Sequence, residues 1–354
     1  MNPDKNILVI GTGLIGTSIA LGLTAQGLSV FLTDIDQDAL DKAIKVSGAT
    51  QYLDQDIALV VVATPPANVA KVIAAATADH PRAVVTDVAS VKGSIFRELE
   101  RIGTSGWERI VGGHPMAGRE VSGAIGAQGN LFLDRPWVIA SGEKTSADSI
   151  STVKELVEAL GAFPIFRTIE EHDRAVALIS HTPQVVASVL AGELMDAEGS
   201  YIELAGQGIR DTIRIASSDS NLWTEILSEN SEFISQQVTQ VANHLLEFAC
   251  ALESGNRESV TARLVKGNLG RDRLPGKHGS SQKSTSMLVV RLDDKPGELA
   301  RLFTVAARSN VNLEDVRIDH SLGQPTGLVE LTVANDALEL LKPALEVESF
   351  VVIS

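Results

Sequence analysis

The sequence predicts an α/β chain in three folded parts. A doubly wound domain spans 1–168, an all-helical domain 169–274, and a βαββαβ module 286–354 behind a linker at 275–285. Three observations predict it. Short Val- and Ile-rich runs alternate with helical patterns up to residue 168. Strand signals then vanish until the linker. The stretch PGKHGSSQKST then separates the last module.

The strand-like runs of the first part are NILVIG, SVFLTD, IALVVVATP, AVVTDVA and PWVIASG. They are apolar on both faces, the mark of a buried parallel sheet. Helical patterns lie between them, as at Ile15 to Gln26 and Ser149 to Leu160. Alternating β and α segments of this kind wind a sheet on both faces.

The second part carries two long helical patterns, EEHDRAVALISHTPQVVASVLAGELMDA and NLWTEILSENSEFISQQVTQVANHLLEFACALES. Ile226, Leu227, Phe233, Ile234, Val238, Val241, Leu245 and Leu246 follow i, i+3/i+4 spacing. Pro183 should kink or break the first pattern. Helices this apolar need a cover, which predicts a homodimer. Pro, Gly, Ser and Lys make 275–285 a linker. The last part reads strand, Pro-Gly turn, helix, two strands, helix, strand, a ferredoxin-like order.

Hydrophobic residues make up 44% of the chain, enough for real cores. The net charge of −15 argues against nucleic acid or an anionic membrane as partner. Clustered Arg and Lys are therefore informative. A single cysteine, Cys250, allows no intramolecular disulfide and no thiolate metal cluster. It reads as a small buried hydrophobe in LLEFACAL. The expected location is the cytoplasm, with no signal peptide, no membrane-length apolar run and no metal.

Gly11-Thr12-Gly13-Leu14-Ile15-Gly16 is a G-x-G-x-x-G motif directly after a strand and opening a helix. Gly11 makes the turn, Gly13 admits the pyrophosphate, and Gly16 lets helix and strand pack closely. The N–H groups that open the helix at Leu14 and Ile15 hold phosphate. Asp34 ends the next strand and suits a ribose 2′-hydroxyl, favouring NAD over NADP. Thr64, after the fourth strand, lies at the edge where the cofactor crevice falls. A glycine turn with no cofactor, or an FAD or SAM site, is the competing interpretation of a Rossmann-like domain such as this.

Polar residues beyond the strand ends are the default site candidates. Ser90 lies in DVASVK and His114 in GGHPMAGRE. A histidine in a glycine-rich loop beside a nicotinamide crevice suits a general base. Its bland alternative is a tie between loops. Arg210 and Arg214 stand at i, i+4, with Asp211 and Thr212 close by. The pattern fits equally an anion site and a solvated helix paired with Glu203 or Asp211.

The set DVASVKG, GGHPMAGREVSG, EEHDRAVALISHTPQ and GIRDTIRIASSDSNLW, in this order behind a G-x-G-x-x-G domain, resembles the prephenate/arogenate dehydrogenase family over roughly 5–270. DDKPGELARL resembles the start of an ACT domain, an amino-acid-sensing module. The bifunctional arrangement, with a chorismate mutase helix in front of the first domain, is not expected. The resemblance implies NAD-dependent oxidative decarboxylation of a cyclohexadienol on the way to tyrosine. It implies His114 as acceptor of the 4-hydroxyl proton, Ser90 as its positioner, and Arg214 as the grip on a substrate carboxylate. Glu120 and Asp211 would gate that arginine. Trp223 would lie near the substrate and the subunit interface, a core role being equally open. Gln184 and Arg210 stand where relatives have His and Lys, facing the pyruvyl or alanyl side chain. Gln184 cannot become cationic, which leaves prephenate and arogenate both open. Tyrosine or phenylalanine is the expected effector, at Asp294, Pro296 and Gly297; a dimerisation module that has lost its ligand is the alternative. Two other readings stay open: another Rossmann and helical dehydrogenase, and a non-catalytic sensor.

Overall fold

The computed structural model describes residues 5–118, 123–274, 285–320 and 326–353. It divides into two compact units, 1–243 and 244–354.

The first unit opens with eight strands: β1 Ile7–Ile10, β2 Val30–Thr33, β3 Thr50–Gln51, β4 Leu59–Val62, β5 Val84–Asp87, β6 Ile110–Pro115, β7 Pro136–Ser141 and β8 Phe163–Thr168. They form one sheet in the order β3-β2-β1-β4-β5-β6-β7-β8. Five helices interleave with them: α1 Leu14–Thr24, α2 Gln37–Ser47, α3 Pro66–Asp79, α4 Gly93–Arg101 and α5 Ala147–Ala159. Period-two alternation sorts each strand onto two cores. Ile7 and Val9 pack with Ile19, Leu23, Leu40 and Val153 from α1, α2 and α5. Leu8, Val60 and Val62 pack with Ile73 and Leu99 from α3 and α4. Each buried side chain of this size contributes roughly 1.5–3 kcal/mol.

The sheet is mixed, a correction to the all-parallel expectation. Strands β1 to β6 run parallel, but β7 pairs antiparallel with β6, and β8 follows β7 in parallel. The runs that form β6 and β8 give no strand signal because Gly112, Gly113 and Pro164 dilute them. Pro164 is tolerated because β8 is an edge strand.

Helices follow: α6 Ile169–Val176, α7 Thr182–Gly192, α8 Gly199–Ile202, α9 Gln207–Ile213, α10 Ser220–Glu229, α11 Ser231–Glu253 and α12 Arg257–Asp272. The division between units falls inside α11. A capping box starts α6, with Thr168 accepting from the Glu171 N–H and Glu171 accepting from the Thr168 N–H. Pro183 does not break the helix. A π turn at Ala177–His181 precedes it, and the Thr182 N–H reaches back to the Ala177 carbonyl. The wider turn absorbs the N–H that proline lacks.

Two further expectations fail here. The run Ile169–Met195 is, by length and composition, apolar enough to cross a membrane. Its exposed Leu178, Ile179 and Val189 account for much of that character. Cys250 is exposed rather than buried.

The second unit holds the end of α11, α12 and a four-stranded sheet. Its strands are β9 Thr285–Asp293, β10 Leu313–His320, β11 Thr326–Ala334 and β12 Val351–Val352, with α13 Glu298–Arg308 and α14 Asn335–Val347. The order β10-β11-β9-β12, all antiparallel, closes the βαββαβ pattern. Leu288, Val290, Leu331 and Val333 pack against Leu302, Leu341 and Leu345. Gly297 takes φ +95° at the head of α13, in the left-handed region that favours glycine.

Candidate active site

The strand order reverses between β1 and β4, which opens a crevice at their carboxyl ends. Gly11 has φ +103°, and a Cβ there would collide with the Ala63 carbonyl. A Cβ on Gly16 would collide with the Gly11 carbonyl, so α1 packs hard onto the turn. Around Gly13 a Cβ would meet nothing within 4 Å: this is the open approach a pyrophosphate needs. Leu14 and Ile15 begin α1 just behind it.

Asp34 accepts from the Thr12 N–H and the Thr12 hydroxyl, each at 2.7 Å, and from the Asp36 N–H at 3.0 Å. Burial pushes its carboxyl up, but the bonds from Asp36 and Thr12 outweigh that and hold it below the usual range. A fixed carboxylate here suits a ribose diol and repels a 2′-phosphate. Ile35 beside it is fully exposed, an apolar wall for an adenine ring. The buried Thr64 hydroxyl has no hydrogen-bond partner among the described residues. The open Gly13 cradle, the Asp34 carboxylate and this orphaned hydroxyl fit a dinucleotide. Asp34→Ala should weaken NAD roughly 10- to 100-fold, the worth of one charge-assisted hydrogen bond. It should also narrow the preference over NADP; fluorescence titration with both nucleotides checks this.

A line of hydrogen-bonded titratable groups starts at the end of β6. His114 Nδ1 meets His172 Nε2 at 2.8 Å, and His172 Nδ1 meets Asp173 Oδ1 at 2.8 Å. Asp173 also accepts from the Lys92 and Gly93 N–H groups, at 2.9 and 2.6 Å, at the start of α4. Burial, then the neighbouring His172, Lys92 and His181, holds His114 well below its ordinary pKa. A half-buried, neutral imidazole beside a cofactor crevice is a base ready at neutral pH.

Beneath it, Lys92 and Asp87 form a salt bridge with no exposure on either side. The Lys92 Nζ also donates to the Gly113 carbonyl at 2.8 Å. The two glycines before His114 follow from this crowding. A Cβ on Gly112 would meet Lys92 Cδ at 2.9 Å, and one on Gly113 would strike the Asp87 carbonyl.

Asn230 Nδ2 donates to the Asp173 carbonyl at 2.9 Å and meets His181 Nδ1 at 3.2 Å. His181 stands edge-on to Trp223, ring centroids 6.1 Å apart. Burial pushes the His181 pKa down to about 4. The unfolded chain therefore takes up a proton that the folded chain refuses as pH falls below about 6.5. Stability should drop by up to about 3 kcal/mol between pH 6.5 and 4 from this group alone. Asp173, held below the usual carboxylate range against its burial, adds to the loss at still lower pH. Urea unfolding across that window, with His181→Asn flattening the slope, checks it.

The other candidates are placed as follows. Ser90 lies in the loop between β5 and α4, at the same sheet edge as His114. Gln184 is buried on α7, with a long contact to Ser188 at 3.4 Å. Arg210 and Arg214 are both exposed, one in α9 and the other opening a 3₁₀ turn. Arg210 approaches the Ala205 carbonyl at 3.5 Å. Asp211 accepts from Gln207 instead of pairing with Arg210. Asp294, Pro296 and Gly297 form the exposed turn before α13. Glu120 lies outside the described residues.

Lys92, His172, Asp173, His181 and Asn230 were missed as site residues, though four of them sit in motifs quoted above. The available signal was periodicity. His172, Val176, Ser180 and Gln184 recur every fourth residue, so a histidine and two polar side chains share one stripe of an apolar helix.

A dinucleotide crevice flanked by a neutral histidine defines the class, a dinucleotide-binding oxidoreductase. Family models match residues 19–165 as the nucleotide-binding domain of prephenate dehydrogenase and residues 168–266 as its dimerization domain. The Streptomyces niveus protein NovF, described as a probable prephenate dehydrogenase, is 33% identical over 350 residues, 95% of this chain and 96% of its own. The arogenate dehydrogenase of Synechocystis overlays with a TM-score of 0.67 at 29% identity, covering 76% of this chain and 99% of its own. The prephenate dehydrogenase of A. aeolicus, solved with hydroxyphenyl propionate and NAD+, gives 0.69 at 26% identity, covering 75% and 97%. The chain belongs to the prephenate dehydrogenase family.

Proposed function

We propose that this chain is an NAD-dependent prephenate dehydrogenase, converting prephenate to 4-hydroxyphenylpyruvate for tyrosine synthesis. The observation that carries it is His114 at the carboxyl edge of a G-x-G-x-x-G sheet, its Nδ1 on His172 and the Lys92–Asp87 pair beneath it. Bound NAD supplies the hydride acceptor for the carbon that bears the 4-hydroxyl. His114 takes the hydroxyl proton as that carbon is oxidised, with Ser90 positioning the hydroxyl. The ring carboxylate leaves as CO2, its electron pair aromatises the ring, and His114 returns the proton to the phenolate oxygen. Arg214 holds a substrate carboxylate, with Asp211 and Glu120 gating it. Arg210, Gln184 and Trp223 border the side chain of the substrate.

One CO2 should be released from the ring carboxyl per NADH formed; NADH without CO2 would contradict the reading. Arg214→Ala should raise KM for the ring substrate roughly 10- to 1000-fold, the scale of a lost charge pair, with kcat much less affected. Steady-state kinetics checks it. Arogenate is the second reading, favoured by the uncharged, buried Gln184.

The domain limits 1–168, 169–274, 275–285 and 286–354 belong to the same proposal. The helical domain pairs two copies in the cytoplasm and covers Leu178, Ile179, Val189 and Leu190, all exposed in the single chain. The last module is an ACT domain that takes tyrosine or phenylalanine at Asp294, Pro296 and Gly297. If tyrosine inhibits a chain truncated after Gly276 as well as the full chain, the effect is competition at the active site and the regulatory proposal fails.

A further inference from the structure

Two residues with no assigned part in the reaction, His172 and Asp173, stand in line behind the base. The line runs His114 Nδ1, His172 Nε2, His172 Nδ1, Asp173 Oδ1, with both contacts at 2.8 Å. It begins half-buried at His114 and ends in the interior, where His172 is 1% and Asp173 3% exposed. We propose that the His172–Asp173 pair is a positioning device that fixes the tautomer of His114, placing its proton on Nδ1 and its lone pair on Nε2. This rests on His114 being the base of the reaction proposed above.

The proton positions follow from what each atom can do. Asp173 accepts backbone N–H bonds from Lys92 on Oδ1 and from Gly93 on Oδ2, at the first turn of α4. Donors on both oxygens hold the carboxylate in its acceptor form. His172 Nδ1 must then be the donor to Oδ1. In neutral His172 this leaves Nε2 as a lone pair, and His114 Nδ1 must donate to it. Neutral His114 then carries its lone pair on Nε2, the nitrogen not engaged by His172. The reverse order needs both ring nitrogens of His172 to donate, which only a charged imidazolium can do.

The line also ties the two halves of the site. Asp173 belongs to α6, and the N–H groups it accepts from open α4, directly after the loop that carries Ser90. A Cβ on Gly93 would lie 2.7 Å from Asp173 Oδ2, so the glycine of the ASVKG motif leaves room for this carboxylate. Asn230 holds the same residue from the other side through its backbone carbonyl.

The test uses the full chain with NAD. Nitrogen NMR on ring-labelled histidine reads which nitrogen of His114 carries the proton, with His114→Asn identifying the signal. The wild type should show Nδ1–H. In Asp173→Asn one acceptor oxygen becomes an amide donor. With the remaining oxygen kept for the 2.6 Å bond from the Gly93 N–H, the amide N–H faces His172 Nδ1 at the loss of the Lys92 N–H bond, so the proton order reverses and His114 should show Nε2–H. Its kcat should fall roughly 10²–10⁴-fold at every pH from 6 to 9, with KM and NAD affinity within about threefold. His172→Gln, whose amide oxygen can accept from His114, should stay within about tenfold of wild type, while His172→Leu loses about a hundredfold or more. A wild-type-like kcat in Asp173→Asn, or a lost kcat with the proton still on Nδ1, overturns the proposal. So does equal loss in His172→Gln and His172→Leu, which decides the matter even if Asp173→Asn does not fold. A chain that turns over neither prephenate nor arogenate yet shows the expected shift between tautomers would fail the functional reading and uphold the tautomer assignment.

Discussion

His114→Ala should lower kcat for prephenate roughly 10²–10⁴-fold, the span that a positioned general base contributes. The loss should fall on kcat and on kcat/KM alike, because the proton leaves the hydroxyl only as hydride departs. NAD affinity should be unchanged, since Gly13, Asp34 and Thr64 lie on a different part of the sheet edge. The imidazole is held neutral by burial and by the charge of Lys92 nearby. Wild-type kcat should therefore not fall on the acid side near the ordinary histidine value, but only at lower pH. Stopped-flow NADH formation separates this step from product release. Near-normal turnover in His114→Ala would remove the histidine from the mechanism.

Lys92→Ala should destabilise the first unit by roughly 3–5 kcal/mol, the cost of leaving one partner of a buried ion pair alone. Both partners are fully buried, and among the described residues Asp87 retains only the Ala89 N–H at 2.8 Å and a long contact to the Gly113 N–H at 3.4 Å. The lysine also satisfies the Gly113 carbonyl. Its removal thus strands a carboxylate and a carbonyl while opening a void under His114. Burial alone pushes the lysine pKa down, and Asp87 works against that. Replacing both partners, as Lys92→Met with Asp87→Leu, should recover much of the loss, because the charge penalty vanishes with the pair. Denaturant unfolding of the two singles and the double measures the coupling. A single-variant loss under about 1 kcal/mol would contradict the account.

The fold was largely legible because its strands are short, apolar and separated by helical patterns. The G-x-G-x-x-G turn was legible because its glycines answer to collisions that any side chain would make. What escaped was longer in range. Nothing local says that β7 turns back against β6, since the pairing partner of a strand is a tertiary fact. Pro183 suggested a break because the π turn that accommodates it has no composition of its own. Cys250 was expected inside, yet it is exposed in the single chain, whereas the exposed Leu178, Ile179 and Val189 agree with a helix that needs a cover. His114 stood out through its glycine-rich loop, whereas His172 lay hidden in an apolar helix. Its part follows from its partners, Asp173 fifty-nine residues after His114 and the helix start at Gly93, which only folding brings together.

The most direct test of the account is NAD reduction by the purified chain, followed at the NADH band with prephenate and arogenate side by side. The account predicts turnover of prephenate, with one CO2 released per NADH and with kcat/KM for prephenate at least equal to that for arogenate. Silence with both substrates, despite measured NAD binding, would contradict it.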